Sequence, residues 1–172
     1  MSAHSKKQVQ NYVNNIKYER ITGFILDEYD IILDKKVKSP MIGLYSAFKE
    51  LNKLEYKKLF AISCDMPFIK TEVIKFMISN SNKFDYIIPQ WNNGYIEPLF
   101  AIYPIKEVLE RTIYCLKYKK FKLANLIDKN SNIQFISIEN EVKKYDNELS
   151  TFININKNED LKLIEEKKKK KE

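Results

Sequence analysis

The sequence predicts an α/β fold with a mostly parallel, mixed sheet, and three observations carry that prediction. Short apolar runs alternate with stretches of helical periodicity, the pattern of strands joined by crossover helices. The run Leu59–Cys64 is continuously apolar, as expected of a strand buried on both faces. The segment Trp91-Asn92-Asn93-Gly94 reads as a turn between two strand-like stretches, so one antiparallel hairpin enters the sheet. The 172 residues suffice for one domain and hardly two, and 44% hydrophobic content supports a real core.

The elements follow in order. Residues 6–17 form an amphipathic helix, with Val9, Val13 and Ile16 on one face. Apolar runs follow at Ile21–Leu26 and Ile31–Leu33. Ser39 caps and Pro40 opens a helix reaching about Leu54. Asp65-Met66-Pro67-Phe68 ends the apolar strand, because proline cannot continue a central ladder. Thr71 is expected to cap a helix to about Ser79, with Glu72 in its first turn. Tyr86–Pro89 reads as a strand and Tyr95–Tyr103 as its returning partner. Pro104 starts a helix to about Tyr118. Phe121–Ile127 reads as a short helix, Ile133–Ile138 as a strand and Glu159–Glu166 as a last helix. The expected domain spans residues 1–166, followed by a Lys-rich, solvated tail over 167–172.

Composition excludes several chemistries. Three glycines, Gly23, Gly43 and Gly94, stand far apart, so neither a Walker-type loop nor a G-x-G-x-x-G fingerprint occurs in these residues. A single histidine, His4, argues against Ser-His-Asp and Cys-His catalysis. Cys64 and Cys115 make neither a disulfide framework nor a metal-ligand spacing. No segment approaches about 18 uncharged apolar residues, and Met1–Lys7 lacks the apolar region of a signal peptide. A cytoplasmic location is therefore expected. The net charge of +7 is spread along a Lys-rich chain, and nucleic acid is not the expected partner.

In open α/β sheets ligands sit at the carboxyl ends of the strands. Asp65 stands there, directly after the buried strand, and a carboxylate so placed suits Mg²⁺, which takes one or two carboxylates and keeps waters and substrate phosphates. An ordinary loop-closing aspartate is the plain alternative. Asp34 ends the run before the intervening helix, and a right-handed crossover brings both strand ends to one edge. Pro40 and Gly43 lie at a helix start, where backbone N–H groups favour anions. Asn154 and Asn156 alternate in Phe152-Ile153-Asn154-Ile155-Asn156, which in an extended segment puts both amides on one face and Phe152, Ile153 and Ile155 within reach of the core.

Taken together, these segments resemble the molybdenum cofactor guanylyltransferases. Five segments carry the resemblance: Met1-Ser2-Ala3-His4; Ile32-Leu33-Asp34 with Ser39-Pro40-Met41-Ile42-Gly43; Cys64-Asp65-Met66-Pro67-Phe68; Glu97-Pro98-Leu99-Phe100-Ala101-Ile102-Tyr103; and Phe152 to Asn156 leading into Glu159-Asp160-Leu161. The resemblance implies a three-layer, Rossmann-like nucleotidyltransferase fold that is N-terminally truncated. It implies transfer of GMP from GTP to molybdopterin with Mg²⁺. It makes Asp65 the metal-binding and catalytic aspartate and Asp34 a nucleotide contact, with Pro40 and Gly43 in the nucleotide turn. Glu97, Pro98, Lys122, Asn154 and Asn156 become acceptor-binding residues. Contacts with molybdoenzymes or other cofactor-biosynthesis proteins are also implied.

Ser39 stands where the family's turn has its first glycine, and Ser2 and His4 stand where nucleotide-contacting asparagines occur. The family's Gly-Gly-x-Ser-x-Arg-Met-Gly loop, which holds the triphosphate, has no counterpart in these residues. Met1 aligns near the end of the second strand, which leaves about 40–50 family residues unmatched. Low GTP turnover by the 172-residue chain is therefore expected. Two alternatives stand beside this reading. One is a related nucleotidyltransferase using CTP or another acceptor, and the other is a non-catalytic form that binds the cofactor or a partner.

Overall fold

The computed structural model describes residues 39–155. The expected elements at 6–17, Ile21–Leu26, Ile31–Leu33 and Glu159–Glu166, together with Asp34 and Asn156, lie outside the described residues. The order is α1 (Pro40–Lys53), β1 (Lys58–Ile62), α2 (Thr71–Asn80), β2 (Tyr86–Gln90), β3 (Phe100–Pro104), α3 (Ile105–Lys117), a 3₁₀ turn at Leu123–Leu126 and β4 (Ile133–Ser137). Two further 3₁₀ turns, Val142–Lys144 and Ser150–Phe152, follow.

The chain divides into two compact units. The first takes its described residues from 39–59 and 104–128. Ser39 caps α1 as the sequence predicts, its Oγ accepting from the Met41 N–H at 3.3 Å. Met41, Leu44 and Phe48 recur at helical spacing and are buried. The facing helix, α3, buries Ile105, Val108, Thr112, Cys115 and Leu116. The Arg111 guanidinium donates from Nε to the Asn125 carbonyl and so ties the Leu123–Leu126 turn to α3. The helix expected over Phe121–Ile127 is only this four-residue 3₁₀ turn.

The second unit comprises residues 60–103 and 129–155 of the described chain. It carries most of the sheet, whose strand order is β1-β3-β2-β4. β2 and β3 are antiparallel, with Ile87 opposite Ile102, and β2 and β4 are parallel, with Ile88 opposite Phe135. Backbone bonds from Ser63 N to the Leu99 carbonyl and from Ile105 N to the Lys57 carbonyl run β1 antiparallel to β3. β1, β2 and β4 therefore point one way and share one carboxyl edge, to which β3 contributes its amino end.

β2 and β3 are central, and Tyr86–Pro89 and all of β3 are buried. Their side chains alternate between two covered faces. Ile87, Phe100 and Ile102 join Val73 and Met77 of α2 and Ile136 of β4 in one core cluster. Tyr86 and Tyr103 meet edge to face on the opposite side.

β1 departs from the sequence reading. Ala61 alone is fully buried, and Ile62 is 43% exposed. Among the described strands β1 lies at the end of the order and pairs on one side only, so its apolar run is not sandwiched. The strand returning from the turn is also shorter than expected. Ile96 makes a lone bridge to Gln90, then Glu97-Pro98-Leu99 turns, with the Phe100 N–H bonded to the Glu97 carbonyl, before β3 begins. Pro98 has no N–H to continue the ladder. Finally, Lys70 rather than Thr71 takes the cap position of α2, and its N–H donates to Thr151 Oγ1 at 3.2 Å.

Candidate active site

The carboxyl edge of the sheet collects Asp65, Trp91 and Glu97, all in the second unit. Asp65 follows β1 in a tight turn. Its Oδ1 is buried and is the one buried side-chain oxygen or nitrogen among the described residues without a hydrogen-bond partner. Buried acceptors are nearly always satisfied, so an unsatisfied one calls for an explanation. The Asp65 carbonyl accepts from the Ile155 N–H at 2.8 Å, which ties the turn to the segment after the last 3₁₀ turn.

Glu97 sits in the turn before β3. Its N–H donates to the Pro89 carbonyl at 2.9 Å, and its Oε1 accepts from the Trp91 indole N–H at 2.7 Å. Burial pushes the Glu97 carboxyl above its ordinary value of 4.5, and the Asp65 charge adds to the rise. The Trp91 bond works against both. Two carboxylates thus feel each other at one strand edge, and one of them offers a vacant lone pair. Such an arrangement favours a divalent cation, which would repay the desolvation and the repulsion together. Mg²⁺ needs no larger donor set, since it keeps waters and substrate phosphates. Among the described residues no group of three or more metal-ligating side chains occurs.

Aromatic rings hold this edge from beneath. Trp91 meets Phe152 with centroids 5.6 Å apart at 67°, and Phe152 meets Phe100 at 5.5 Å and 79°. Phe60 of β1 meets Phe100 at 5.1 Å. Edge-to-face pairs at these separations are favourable beyond the area they bury.

The structure gathers Asp65 and Glu97. Pro98 is adjacent, its carbonyl accepting from the Tyr103 hydroxyl at 2.7 Å. Asn154 is exposed in the segment that binds the Asp65 turn through Ile155. Of the apolar residues expected in the core there, Phe152 packs against the cluster, whereas Ile153 is 40% exposed because the 3₁₀ turn interrupts the expected alternation. Pro40 and Gly43 occupy the first turn of α1, and Lys122 is exposed ahead of the 3₁₀ turn at Leu123–Leu126, all in the first unit. Sequence reasoning missed Trp91, which reads as a turn residue but orients Glu97. Its signal was available: it is the only tryptophan, six residues before a glutamate across a hairpin turn.

A mixed α/β sheet puts these acids at the edge where open α/β folds bind ligands, and the fold is of the nucleotidyltransferase type. The chain belongs to the family of the MobA-like NTP transferase domain, which matches residues 4–129. It is 34% identical over 140 residues to a probable molybdenum cofactor guanylyltransferase of Pyrococcus horikoshii, covering 79% of this chain and 67% of that protein. A Pyrococcus furiosus protein of the same description is 30% identical over 139 residues, covering 78% of this chain and 64% of the relative. The chain thus spans about two thirds of the length of these relatives. The crystal structure of molybdopterin-guanine dinucleotide biosynthesis protein A from Archaeoglobus fulgidus superposes with a TM-score of 0.62 at 27% identity, covering 95% of this chain and 75% of that one. Among the described residues no helix is long and apolar enough to cross a membrane.

Proposed function

We propose that this chain acts in the transfer of GMP from GTP to molybdopterin, with Asp65 holding Mg²⁺ and Glu97 beside it. The observation that carries this is the unsatisfied, buried Asp65 Oδ1 next to a second carboxylate, in a family of NTP transferases. A terminal phosphate oxygen of molybdopterin would attack the α-phosphorus of GTP. One P–O bond forms there, the bond to the β-phosphate oxygen breaks, and pyrophosphate leaves. The attacking oxygen is already anionic, so the reaction needs no histidine or general base, in agreement with the residue types present. What this chain's residues supply is positioning and a placed pair of charges. A bound Mg²⁺ supplies neutralisation of the phosphate oxygens.

Asp34, Pro40 and Gly43 are proposed to contact the nucleotide. Glu97, Pro98, Lys122, Asn154 and Asn156 are proposed to border the acceptor, whose phosphate suits the Lys122 ammonium.

The test is Asp65→Asn, with Mn²⁺ binding followed by electron paramagnetic resonance and pyrophosphate release followed with GTP or CTP in the presence of molybdopterin. Loss of Mn²⁺ binding, and a fall of about 10²-fold or more in any GTP-specific release, is expected. Undiminished cation binding in this variant sinks the assignment of Asp65, and faster turnover with CTP sinks that of the nucleotide.

A further inference from the structure

The residues that hold the Asp65 turn in place lie some eighty positions further along the chain. Asp146 is only 4% exposed and Thr151 is fully buried. The Asp146 carboxylate accepts from the Thr151 N–H at 2.6 Å and from the Ser150 hydroxyl, 3.1 Å from each carboxylate oxygen. Burial alone would raise the Asp146 carboxyl, but the bonds from Thr151 and Ser150 outweigh it and hold the group below its ordinary value. Thr151 Oγ1 in turn accepts from the Lys70 N–H at 3.2 Å. Four residues later, Ile155 donates its N–H to the Asp65 carbonyl at 2.8 Å. Segment 151–155 therefore grips the loop that carries Asp65 at both ends, once at Asp65 and once at the cap of α2. Phe152, between the two grips, packs on Trp91, the donor to Glu97.

One strained residue marks the same place. Leu149 adopts a left-handed conformation, with φ at +51°. Such a conformation brings the Cβ of any residue but glycine close to a backbone carbonyl oxygen and persists only where its surroundings enforce it. Here the Leu149 N–H donates to the Asp146 carbonyl at 2.9 Å, and the turn it begins delivers Ser150 and Thr151 to the Asp146 carboxylate.

We propose that Asp146 and Thr151 are positioning residues for the candidate cation site, clamping the Asp65 loop and, through Phe152 and Trp91, the orientation of Glu97. The proposal rests on the reading of Asp65 as the cation ligand. Neither residue is placed in contact with the cation or the substrates. Their role is to fix where the two carboxylates stand, as outer partners of metal ligands commonly do.

The test compares the 172-residue chain with Thr151→Val, Thr151→Ser and Asp146→Asn, all well below their melting temperatures. Trp91 is the sole tryptophan, so its indole N–H gives a single resonance that reports the bond to Glu97. In Thr151→Val the Lys70 and Ile155 amides should exchange about tenfold faster. The indole resonance should move, and the Mn²⁺ dissociation constant should rise about tenfold. Asp146→Asn should do the same, and Thr151→Ser, which keeps the acceptor, should stay within about twofold of the parent. A merely structural role lowers the melting temperature and leaves the indole resonance and the Mn²⁺ affinity of the folded protein alone. That outcome in Thr151→Val and Asp146→Asn overturns the proposal, and so does failure of both variants to fold. If the parent chain binds no Mn²⁺, or binds it equally with Asp65→Asn, the reading of Asp65 fails, and the indole and amide signals still decide the clamp.

Discussion

Two carboxylates of the same unit, half-buried Glu97 and buried Asp146, carry opposite pH signatures, and the sign follows from what each one touches. Glu97 is raised above 4.5 chiefly by burial, so the native state holds its proton more tightly than the unfolded chain does. Its contribution to stability is complete below the unfolded value and is lost as pH rises through the folded value. Glu97→Gln keeps an acceptor for Trp91 and removes the charge. It should therefore stabilise the cation-free protein at neutral pH by on the order of 1 kcal/mol, read by thermal melting in a chelator. The same change should weaken Mn²⁺ binding, so a variant that is both more stable and a weaker binder identifies the charge as kept for a ligand. Asp146 is lowered below 3.8, since its bonds outweigh the cost of burial. Its contribution is present above the unfolded value and is lost as pH falls through the folded value. Asp146→Asn should cost about 2 kcal/mol at neutral pH and flatten the acid side of the stability profile, measured by urea unfolding from pH 3 to 7. An acid limb as steep as the parent's would assign that titration to other groups.

At the scale of elements, local rules predict the structure wherever they act alone. Ser39-Pro40 opens α1 because a hydroxyl acceptor and a preset φ are sufficient there, and Ser39→Ala should cost about 1 kcal/mol by urea unfolding. Gly94 is a second local case. Its φ of +84° suits glycine, while an added Cβ would meet nothing within 4 Å. Gly94→Ala should therefore destabilise by about 1 kcal/mol through backbone conformation, with Gly94→Asn milder because asparagine tolerates that region better. A neutral Gly94→Ala would show that the turn relaxes. Sequence reading fails where partners are distant in the chain. Leu59–Ile62 is as apolar as a central strand, but its burial depends on pairing order, which no local pattern encodes. Thr71 has the chemistry of a cap, yet Thr151, eighty residues away, meets that end of α2 instead. Asp65 was legible from its place after a strand, and Glu97 from the family motif. Trp91 carried a signal, as the sole tryptophan six residues before Glu97, but it reads as a turn residue until the hairpin is in place. Asp146 was not legible, because its meaning comes from a strained 3₁₀ turn that folds back on the site.

For the whole molecule the relevant fact is how the chain passes between its two units. The crossings fall after Leu59, after Tyr103 and after Asp128, and the first two lie inside β1 and β3. Neither unit is a contiguous stretch, since the chain passes between them three times. Cooperative loss of both together is expected, as for most domains of this size. Two native reporters separate the units: Trp91 fluorescence in the second, and the Cys115 thiol in the first, only 2% exposed. Burial pushes the Cys115 thiol up, against the opposing charges of Arg111 and Lys120, so it stays unreactive while folded. Cys64 is exposed, so the measurement belongs in a Cys64→Ser background. In urea, the Trp91 transition and the onset of Cys115 labelling should share a midpoint to within about 0.3 M. Separate midpoints would show that the units unfold independently. The stability of the Asp65 edge would then have to be sought within the second unit alone.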